Sequence, residues 1–465
     1  MSDSPVHVVI LAAGKGTRMK SSVPKVLHRV AGVPMIDYVL SAAAPVAARS
    51  TTVVIGHGAD AVREYLCRHS DLTFVVQEPQ LGTGHALLAT EPRLGREVGT
   101  LALLSGDVPL LTPDTLMRLV STHRAAGAAA TVVTAQLPDP AGYGRVLRSG
   151  QQIARIVEDR DATPEERAIR EVNAGIYAFE IEGLFEALRR LAAANAQREY
   201  YLPDLVAAFV GAGRPVATVS AEADEIRGVN SRADLESASR LVRMRTNDAL
   251  MASGVTLEDA ATAYIERGVQ IGPDTILHPH VSLEGATSIG SACEIHSGAR
   301  IVNSRLGNRV VVHNHSVITD SIIEDDAQVG PFARLRSQAV VRPRARVGNF
   351  VEMKQTELGA GSKAMHLAYL GDSTIGERVN IGAGTITCNY DGERKQRTTI
   401  EDGAFIGSDT QLVAPVTVGR DAYVGTGTTV REDVPAGALA VSAGRQRNIE
   451  GWVDRRRRRR EDPRS

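Results

Sequence analysis

TTIEDGAFIGSDTQLVAPVTVGRDAYVGTGTTV, residues 398–430, carries an aliphatic side chain at every sixth position: Ile400, Ile406, Leu412, Val418, Val424 and Val430. The same step runs upstream through Ile265, Ile271, Leu277, Leu283, Ile289, Ile295 and Ile301. A third track reads Val311, Val317, Ile323, Val329, Leu335, Val341, Val347 and Met353. Six matches neither a 3.6-residue helix nor a simple alternating strand. It suits short strands stacked as coils of a parallel β-helix, each turning one aliphatic side chain into a shared core. Glycine often follows that residue, as in Ile271-Gly272, Val329-Gly330 and Ile406-Gly407, where a tight corner needs it. The expected solenoid occupies residues 255–452.

Two interruptions break its phase. The segment between Met353 and Ile375 holds His366, and the segment between Ile381 and Ile400 carries an extra loop, Thr387-Cys388-Asn389-Tyr390-Asp391-Gly392-Glu393-Arg394-Lys395-Gln396-Arg397. Solenoids accept insertions at their corners, and ligand sites commonly lie there. An imidazole titrates near neutral pH, so His366 is a candidate general base, against the plainer reading of a surface corner histidine. His278, His280, His313 and His315 stand in His-x-His pairs. With no carboxylate or cysteine completing a set, they read as solvated coil positions.

The first half has a different texture. Val6–Leu11 is a continuous apolar run, the mark of a strand buried on both faces of a parallel sheet. Further strands are expected over residues 52–56, 72–77, 100–104 and 130–135, alternating with helical stretches. That alternation predicts a doubly wound α/β layer. After the first strand, Gly14, Lys15, Gly16 and Arg18 place flexible backbone and positive charge at its carboxyl end, where open α/β sheets bind ligands. The loop is neither a Walker A nor GxGxxG, since Met19 fills the third glycine's place. Alone it is weak evidence, and a structural turn explains it equally well. Lys25 adds a second cation. Asp107 follows a buried strand where a hard cation could be held, although an ordinary turn aspartate is the better reading of it in isolation. Gly82 and Gly84 flank Thr83 before a helical run, exposing backbone N–H groups, with Gln77 and Gln80 able to read a base edge. Residues 231–254 read as a helical linker beginning at a capping-box-like Ser231-Arg232-Ala233-Asp234, and the domain boundary falls there.

The 465 residues are enough for two or three cores. Aromatics at 4% leave an aliphatic interior, and 53 basic against 54 acidic residues argue against a polyanion partner for the body of the protein. The six arginines at 455–460 read as part of a basic, disordered tail, residues 453–465. Neither nucleic acid nor membrane is an expected partner. Three scattered cysteines with no CxxC pair and no signal-like leader predict a reducing, cytoplasmic setting.

Leu11-Ala12-Ala13-Gly14-Lys15-Gly16-Thr17-Arg18-Met19 with Pro24-Lys25 resembles the signature of sugar-1-phosphate nucleotidyltransferases. Gln80-Leu81-Gly82-Thr83-Gly84-His85 and Gly106-Asp107-Val108-Pro109-Leu110 narrow the resemblance to those handling N-acetylglucosamine. Residues 347–354 and 381–392 resemble the acetyltransferase half of the bacterial bifunctional N-acetylglucosamine-1-phosphate uridylyltransferase and glucosamine-1-phosphate N-acetyltransferase family. The likeness runs over residues 6–452.

The resemblance implies an α/β, Rossmann-like nucleotidyltransferase domain with a mostly parallel sheet (residues 1–230) and a left-handed β-helix assembled as a homotrimer. It implies UDP-N-acetylglucosamine synthesis: acetyl-CoA-dependent N-acetylation of glucosamine 1-phosphate, then Mg²⁺-dependent uridylyl transfer from UTP to N-acetylglucosamine 1-phosphate. His366 would be the base, with Asn389 beside it. Arg336, Lys354, Tyr369, Asn380 and Lys395 would hold the sugar phosphate. Ala383, Asn389, Tyr390, Ser408, Thr426 and Arg445 would meet acetyl-CoA. In the first domain, Asp107 and Asn230 would hold Mg²⁺, while Arg18 and Lys25 steady the triphosphate. Leu11, Ala12, Ala13, Gly14, Gln77, Gln80, Gly82, Thr83, Ser105 and Gly106 would contact the nucleotide, and Gly144, Glu158 and Asn173 the N-acetylglucosamine.

Four positions depart from the family pattern, one of them Thr426, whose place is often filled by alanine. Ser105 replaces a tyrosine, Ala174 a threonine, and Ala443 the arginine that meets coenzyme A, leaving Arg445 or Arg447 for that contact. The alternative is a single-activity nucleotidyltransferase whose β-helix only oligomerises it. His366, Asn389, Tyr390 and Lys395 around an inserted loop argue against a bare scaffold.

Overall fold

The computed structural model describes residues 4–461, apart from 194, 196, 443, 445 and 447. The chain divides into two compact units, Met1–Thr246 and Asn247–Ser465. The division falls within a long helix, Arg232–Ala252, capped at its start by a reciprocal pair: the Asp234 carboxylate accepts from the Ser231 N–H (2.8 Å) and Ser231 Oγ from the Asp234 N–H (3.2 Å).

The first unit is built on strands β1 (Val6–Leu11), β2 (Ser50–Ile55), β3 (Leu72–Val76), β4 (Thr100–Ser105), β5 (Ala130–Gln136), β6 (Arg145–Ser149), β7 (Gln152–Val157), β8 (Glu171–Glu180) and β9 (Val216–Ser220). Their order is β9-β5-β8-β4-β1-β2-β3, with the β6–β7 hairpin hanging from β8. β1 lies parallel to both β2 and β4. From β1 the chain winds one way through β2 and β3 and the other way to β4, so β1 and β4 flank the switch point where ligands of such sheets bind. Leu11 and Ser105, the last residues of the two strands, are register partners. The sheet is mixed because β8 runs antiparallel to β4 and β5. This strand and the β6–β7 hairpin were not expected from the alternating pattern.

Among the described residues, the second unit is a stack of strands paired in parallel, nine in one sheet and nineteen in another, all of two or three residues except the nine-residue strands Arg346–Lys354 and Lys363–Gly371. Leu277 pairs with Ile295 and Leu283 with Ile301, eighteen residues on, so three six-residue faces make one coil. Among the described residues, the interior is a single cluster of Val, Ile, Leu and Ala with Cys293 and Met353, and no aromatic ring.

Two positions of the third track are corrected. Val312 and Ile318 are fully buried, whereas Val311 and Val317 are not. The track starts one residue late because the chain takes five-residue steps, Ile301 to Leu306 and Ile318 to Ile323, which shorten those coils to seventeen residues. Ile271 is also only half-buried, near the first coil. The opposite change occurs once: Ile381 pairs with Ile406 and Thr387 with Leu412, twenty-five residues on, and the excess is the inserted loop.

The tail read as disordered contains a helix, Trp452–Glu461, whose side chains through Arg458 are exposed. Arginine is a good helix former, and Asp454 lies in the first turn where a negative charge favours the helix dipole.

Candidate active sites

A cavity of about 470 Å³ opens at the carboxyl ends of β1 and β4. Its wall includes Leu11, Ala12, Ala13, Gly14, Lys25, Gln77, Gln80, Gly82, Thr83, Ser105 and Asp107, eleven of the positions singled out from sequence. The Gly106 N–H donates to the Leu11 carbonyl (2.9 Å), and the Val229 N–H to the Asp107 carbonyl (2.8 Å). These bonds draw the loop around residue 230 to the end of β4. Lys25 Nζ then donates to Asp107 Oδ2 and, at 2.7 Å, to Asn230 Oδ1. Three residues separated by up to 205 positions thus converge on one ammonium group. A carboxylate and an amide oxygen facing a single cationic centre are donors suited to a hard divalent cation that keeps part of its water shell.

Gly82 is held at φ +99°, and a Cβ there would lie 2.8 Å from the Tyr200 carbonyl oxygen. The Gly84 N–H donates to that same carbonyl (2.7 Å). Gln77 is committed in part, its amide nitrogen donating to the Gly82 carbonyl at 2.9 Å, so it shapes the loop as well as lining the cavity. Arg18 is exposed on the turn Thr17–Met19 and does not line the cavity.

Gly144, Glu158 and Asn173 come together, but none of them lines that cavity. The Asn173 N–H donates to the Gly144 carbonyl (2.8 Å), and a Cβ on Gly144 would sit 3.4 Å from Glu158 Oε1. Asn173 Nδ2 donates to Tyr177 Oη (2.6 Å). Burial raises the Glu158 pKa; Asp161, Asp204 and Asp159 add repulsion, and Arg145 opposes them. Tyr201, pushed up to about 12 by burial, has a buried hydroxyl with no protein partner. It was not singled out from sequence, since a lone tyrosine after a loop carries no pattern.

A raised carboxyl pKa means that the folded state disfavours the charge. Glu158 therefore contributes stability at low pH that is lost as pH rises from its ordinary 4.5 through the raised native value. Glu158→Gln is expected to raise Tm at pH 8 and to lose that advantage at pH 4, as followed by thermal denaturation at both pH values.

In the second unit, parallel register stacks Arg336 on Lys354 and Asn349 on His366. His366 Nδ1 lies 2.8 Å from Asn349 Oδ1. With the amide presenting its oxygen, Nδ1 carries the proton and the Nε2 lone pair is free. Lys354 Nζ is paired with both Asp372 oxygens at 3.0 and 3.1 Å. Asn389 Nδ2 donates to the same carboxylate and approaches Tyr369 Oη at 3.5 Å. Burial works against the charge on Lys354, but its bonds to Lys395 and Asp372 outweigh that and raise its pKa. Lys395 is lowered by its hydrogen bond to Lys354 and that neighbour's charge, with Arg336 adding to the repulsion. A lysine whose charge is disfavoured by neighbouring cations marks a place for an anion.

The inserted loop is a small hairpin. Tyr390 bridges to Lys395, and Asp391 Oδ1 caps the turn by accepting from the N–H groups of Glu393 and Arg394. Ala383, Ser408 and Thr426 fall on successive coils of one corner. The Asp409 N–H donates to the Ala383 carbonyl (2.7 Å) and the Gly427 N–H to the Ser408 carbonyl (2.8 Å). Asn380 lies in the ladder with Lys363 and Phe405. Arg445 and Arg447 lie outside the described residues.

Asp372 and Asn349 were not singled out from sequence. Asp372 sits at φ +51° in the segment where the phase slips, a weak hint of a special position. Gly371 beside it has a sharper requirement: a Cβ would meet Tyr369 Oη at 2.5 Å and Asn389 Nδ2 at 2.7 Å. Gly371→Ala is expected to displace both side chains, and an ångström's displacement at a binding group costs up to about 100-fold in rate. Steady-state kinetics would measure it, with a fully active variant the contrary result.

The fold and the two clusters define a nucleotidyltransferase domain joined to a hexapeptide-repeat transferase. The family model described as MobA-like NTP transferase domain matches residues 8–175. GMPPB C-terminal domain matches 260–357, and bacterial transferase hexapeptide (six repeats) matches 397–432. The chain is 51% identical over 449 residues to the "Bifunctional protein GlmU" of Pelobacter propionicus, covering 96% of this chain and 98% of that protein. It is 49% identical over 453 residues to the protein of the same name from Syntrophotalea carbinolica (97% of each chain), and 49% over 450 residues to that of Heliobacterium modesticaldum (96% and 98%). This chain belongs to the bifunctional GlmU family.

Proposed function

We propose that the protein acetylates glucosamine 1-phosphate with acetyl-CoA in its second unit and uridylylates the product with UTP in its first. The observation that carries the acetyl-transfer half is the convergence of Arg336, Lys354 and Lys395 beside Asn389 and Tyr369, in the same ladder as His366. The three cations hold the sugar phosphate, and His366 Nε2 takes a proton from the sugar's nitrogen. That nitrogen attacks the thioester carbonyl, the new C–N bond forms, and the C–S bond breaks to release coenzyme A. Ala383, Ser408 and Thr426 present one corner of the coils to the cosubstrate, with Tyr390 and either Arg445 or Arg447 completing its site.

In the first unit a phosphate oxygen of N-acetylglucosamine 1-phosphate attacks the α-phosphorus of UTP, and the bond to the β-phosphate breaks to release pyrophosphate. Positioning and charge neutralisation carry such a step. Lys25 and Arg18 steady the phosphates, Gln77, Gln80, Gly82 and Thr83 receive the base, and Gly144, Glu158 and Asn173 hold the sugar. Asp107 and Asn230 would hold Mg²⁺, which when bound offsets phosphate charge.

The working form is a homotrimer. What supports this is the hexapeptide-repeat domain and the family resemblance, and light scattering should give three times the 49.6 kDa of the chain. No helix among the described residues is long and apolar enough to cross a membrane. The three cysteines are all free, which favours a cytoplasmic setting.

A split assay on purified protein tests the reading. Glucosamine 1-phosphate with acetyl-CoA should release free thiol, and N-acetylglucosamine 1-phosphate with UTP and Mg²⁺ should release pyrophosphate. Pyrophosphate alone would favour a single-activity enzyme on a β-helix scaffold.

A further inference from the structure

The histidines read from sequence as solvated coil positions are not alone. Coil stacking supplies the carboxylates that linear spacing hides. Glu258, His278, His296 and His313 follow one another up a single column, each donating its backbone N–H to the residue before the next: Glu258 to Leu277 (3.1 Å), His278 to Ile295 (2.9 Å) and His296 to Val312 (2.8 Å). The His278 and His296 rings stack at 4.6 Å between centroids and 12° between planes, and His313 follows at 5.2 Å. Glu294 opens the two-residue strand Glu294–Ile295 and His296 follows it directly, which brings the Glu294 carboxylate and the His296 ring within 3.3 Å of each other.

Three donor atoms converge there. Glu294 Oε1 lies 3.1 Å from His278 Nε2 and 3.3 Å from His296 Nε2. One ligand atom from each of the three residues fits within 4.8 Å of the others. Donors bonded at about 2.0–2.1 Å to a tetrahedral ion stand about 3.3 Å apart, so the carboxylate–imidazole edges already have the length that a bound ion would set. The far side of His278 carries a second feature of metal sites: Nδ1 lies 2.9 Å from Glu258 Oε2. A carboxylate on the outer nitrogen fixes ring orientation and turns the other nitrogen toward a metal. The three residues are all partly shielded, and the side chains of His278 and His296 are 22% and 24% exposed.

We propose that His278, His296 and Glu294 bind a divalent transition metal of the zinc class, with Glu258 orienting His278. Two imidazoles and one carboxylate suit Zn²⁺, and discriminate against Mg²⁺, which takes oxygen donors. The ion would pin successive coils near the start of the β-helix. None of these residues belongs to either catalytic cluster, so the metal is structural.

Co²⁺ replaces Zn²⁺ and reports nitrogen ligation by visible d–d absorption. Untagged full-length protein, stripped of metal and held in excess Mg²⁺ to occupy oxygen sites, should bind one equivalent of Co²⁺ per chain with a visible band. Zn²⁺ should abolish the band and raise Tm. His296→Ala and His278→Gln should each lose the band and the Tm shift while keeping both transferase activities. Glu258→Gln should keep the band but weaken binding by roughly 10- to 100-fold. If His296→Ala fails to fold, His278→Gln decides. No band in the wild type, or a band unchanged in a folded His278 or His296 variant, overturns the proposal.

Discussion

His366→Ala is expected to lower acetyl transfer by about 100- to 10,000-fold, the worth of a positioned general base, and to leave uridylyl transfer unchanged. The first half of this expectation rests on a tautomer. Asn349 Oδ1 lies 2.8 Å from His366 Nδ1, and a carbonyl-type oxygen can only accept, so the proton sits on Nδ1 and Nε2 is the basic atom. The ring stands on the strand Lys363–Gly371, whose other end supports the Tyr369–Asn389–Asp372–Lys354 network. His366 and Lys354 are therefore held by one pair of strands, Arg346–Lys354 and Lys363–Gly371, while Arg336 comes from the strand before them. The second half rests on the division of the chain, since His366 and Asp107 belong to different compact units. Release of thiol and of pyrophosphate, followed separately on the same preparation, checks both halves. Near-wild-type thiol release would mean that solvent takes the amine proton. Equal loss of both signals would mean that the two activities depend on one another.

How much of this was legible beforehand follows from the geometry of each unit. The β-helix declared itself because each of its side chains at every sixth position performs the same task. Where the task is kept with fewer residues, as between Ile318 and Ile323, simple counting loses phase, and Val311 and Val317 were misplaced for that reason. The inserted loop was legible because it breaks a strict period. Asp372 was not, because its partners Lys354 and Asn389 come from the coils before and after it. The Glu258–His278–Glu294–His296 group was missed for the same reason: metal-site patterns assume ligands a few residues apart, whereas a coil returns to the same face after seventeen or eighteen. In the first unit, β1 and its glycine loop were visible as a buried run with a polar end. The antiparallel β8 was not, because its positions alternate in role between two antiparallel neighbours and the hairpin.

Asp107→Ala should reverse the pattern of the histidine variant, lowering uridylyl transfer by about 100- to 1,000-fold, as loss of a preorganised electrostatic group does, with acetyl transfer intact. Two roles are combined in this carboxylate. It accepts from Lys25 Nζ, and in the proposed reading it would, with Asn230, offer oxygens to Mg²⁺. Asp107→Asn separates them. The amide keeps an oxygen that can accept from Lys25 Nζ, but it lacks the charge that draws a metal ion. If cation binding dominates, Asp107→Asn should be nearly as impaired as Asp107→Ala, and both should need far more Mg²⁺ for half-maximal pyrophosphate release. If placement of Lys25 dominates, Asp107→Asn should recover most of the activity at ordinary Mg²⁺, and Lys25→Ala should match Asp107→Ala. The salt bridge is partly exposed, with Asp107 at 25%, so its loss should cost little stability, and the fall in activity cannot be assigned to unfolding. Melting curves of the three variants alongside the Mg²⁺ titrations make that distinction directly.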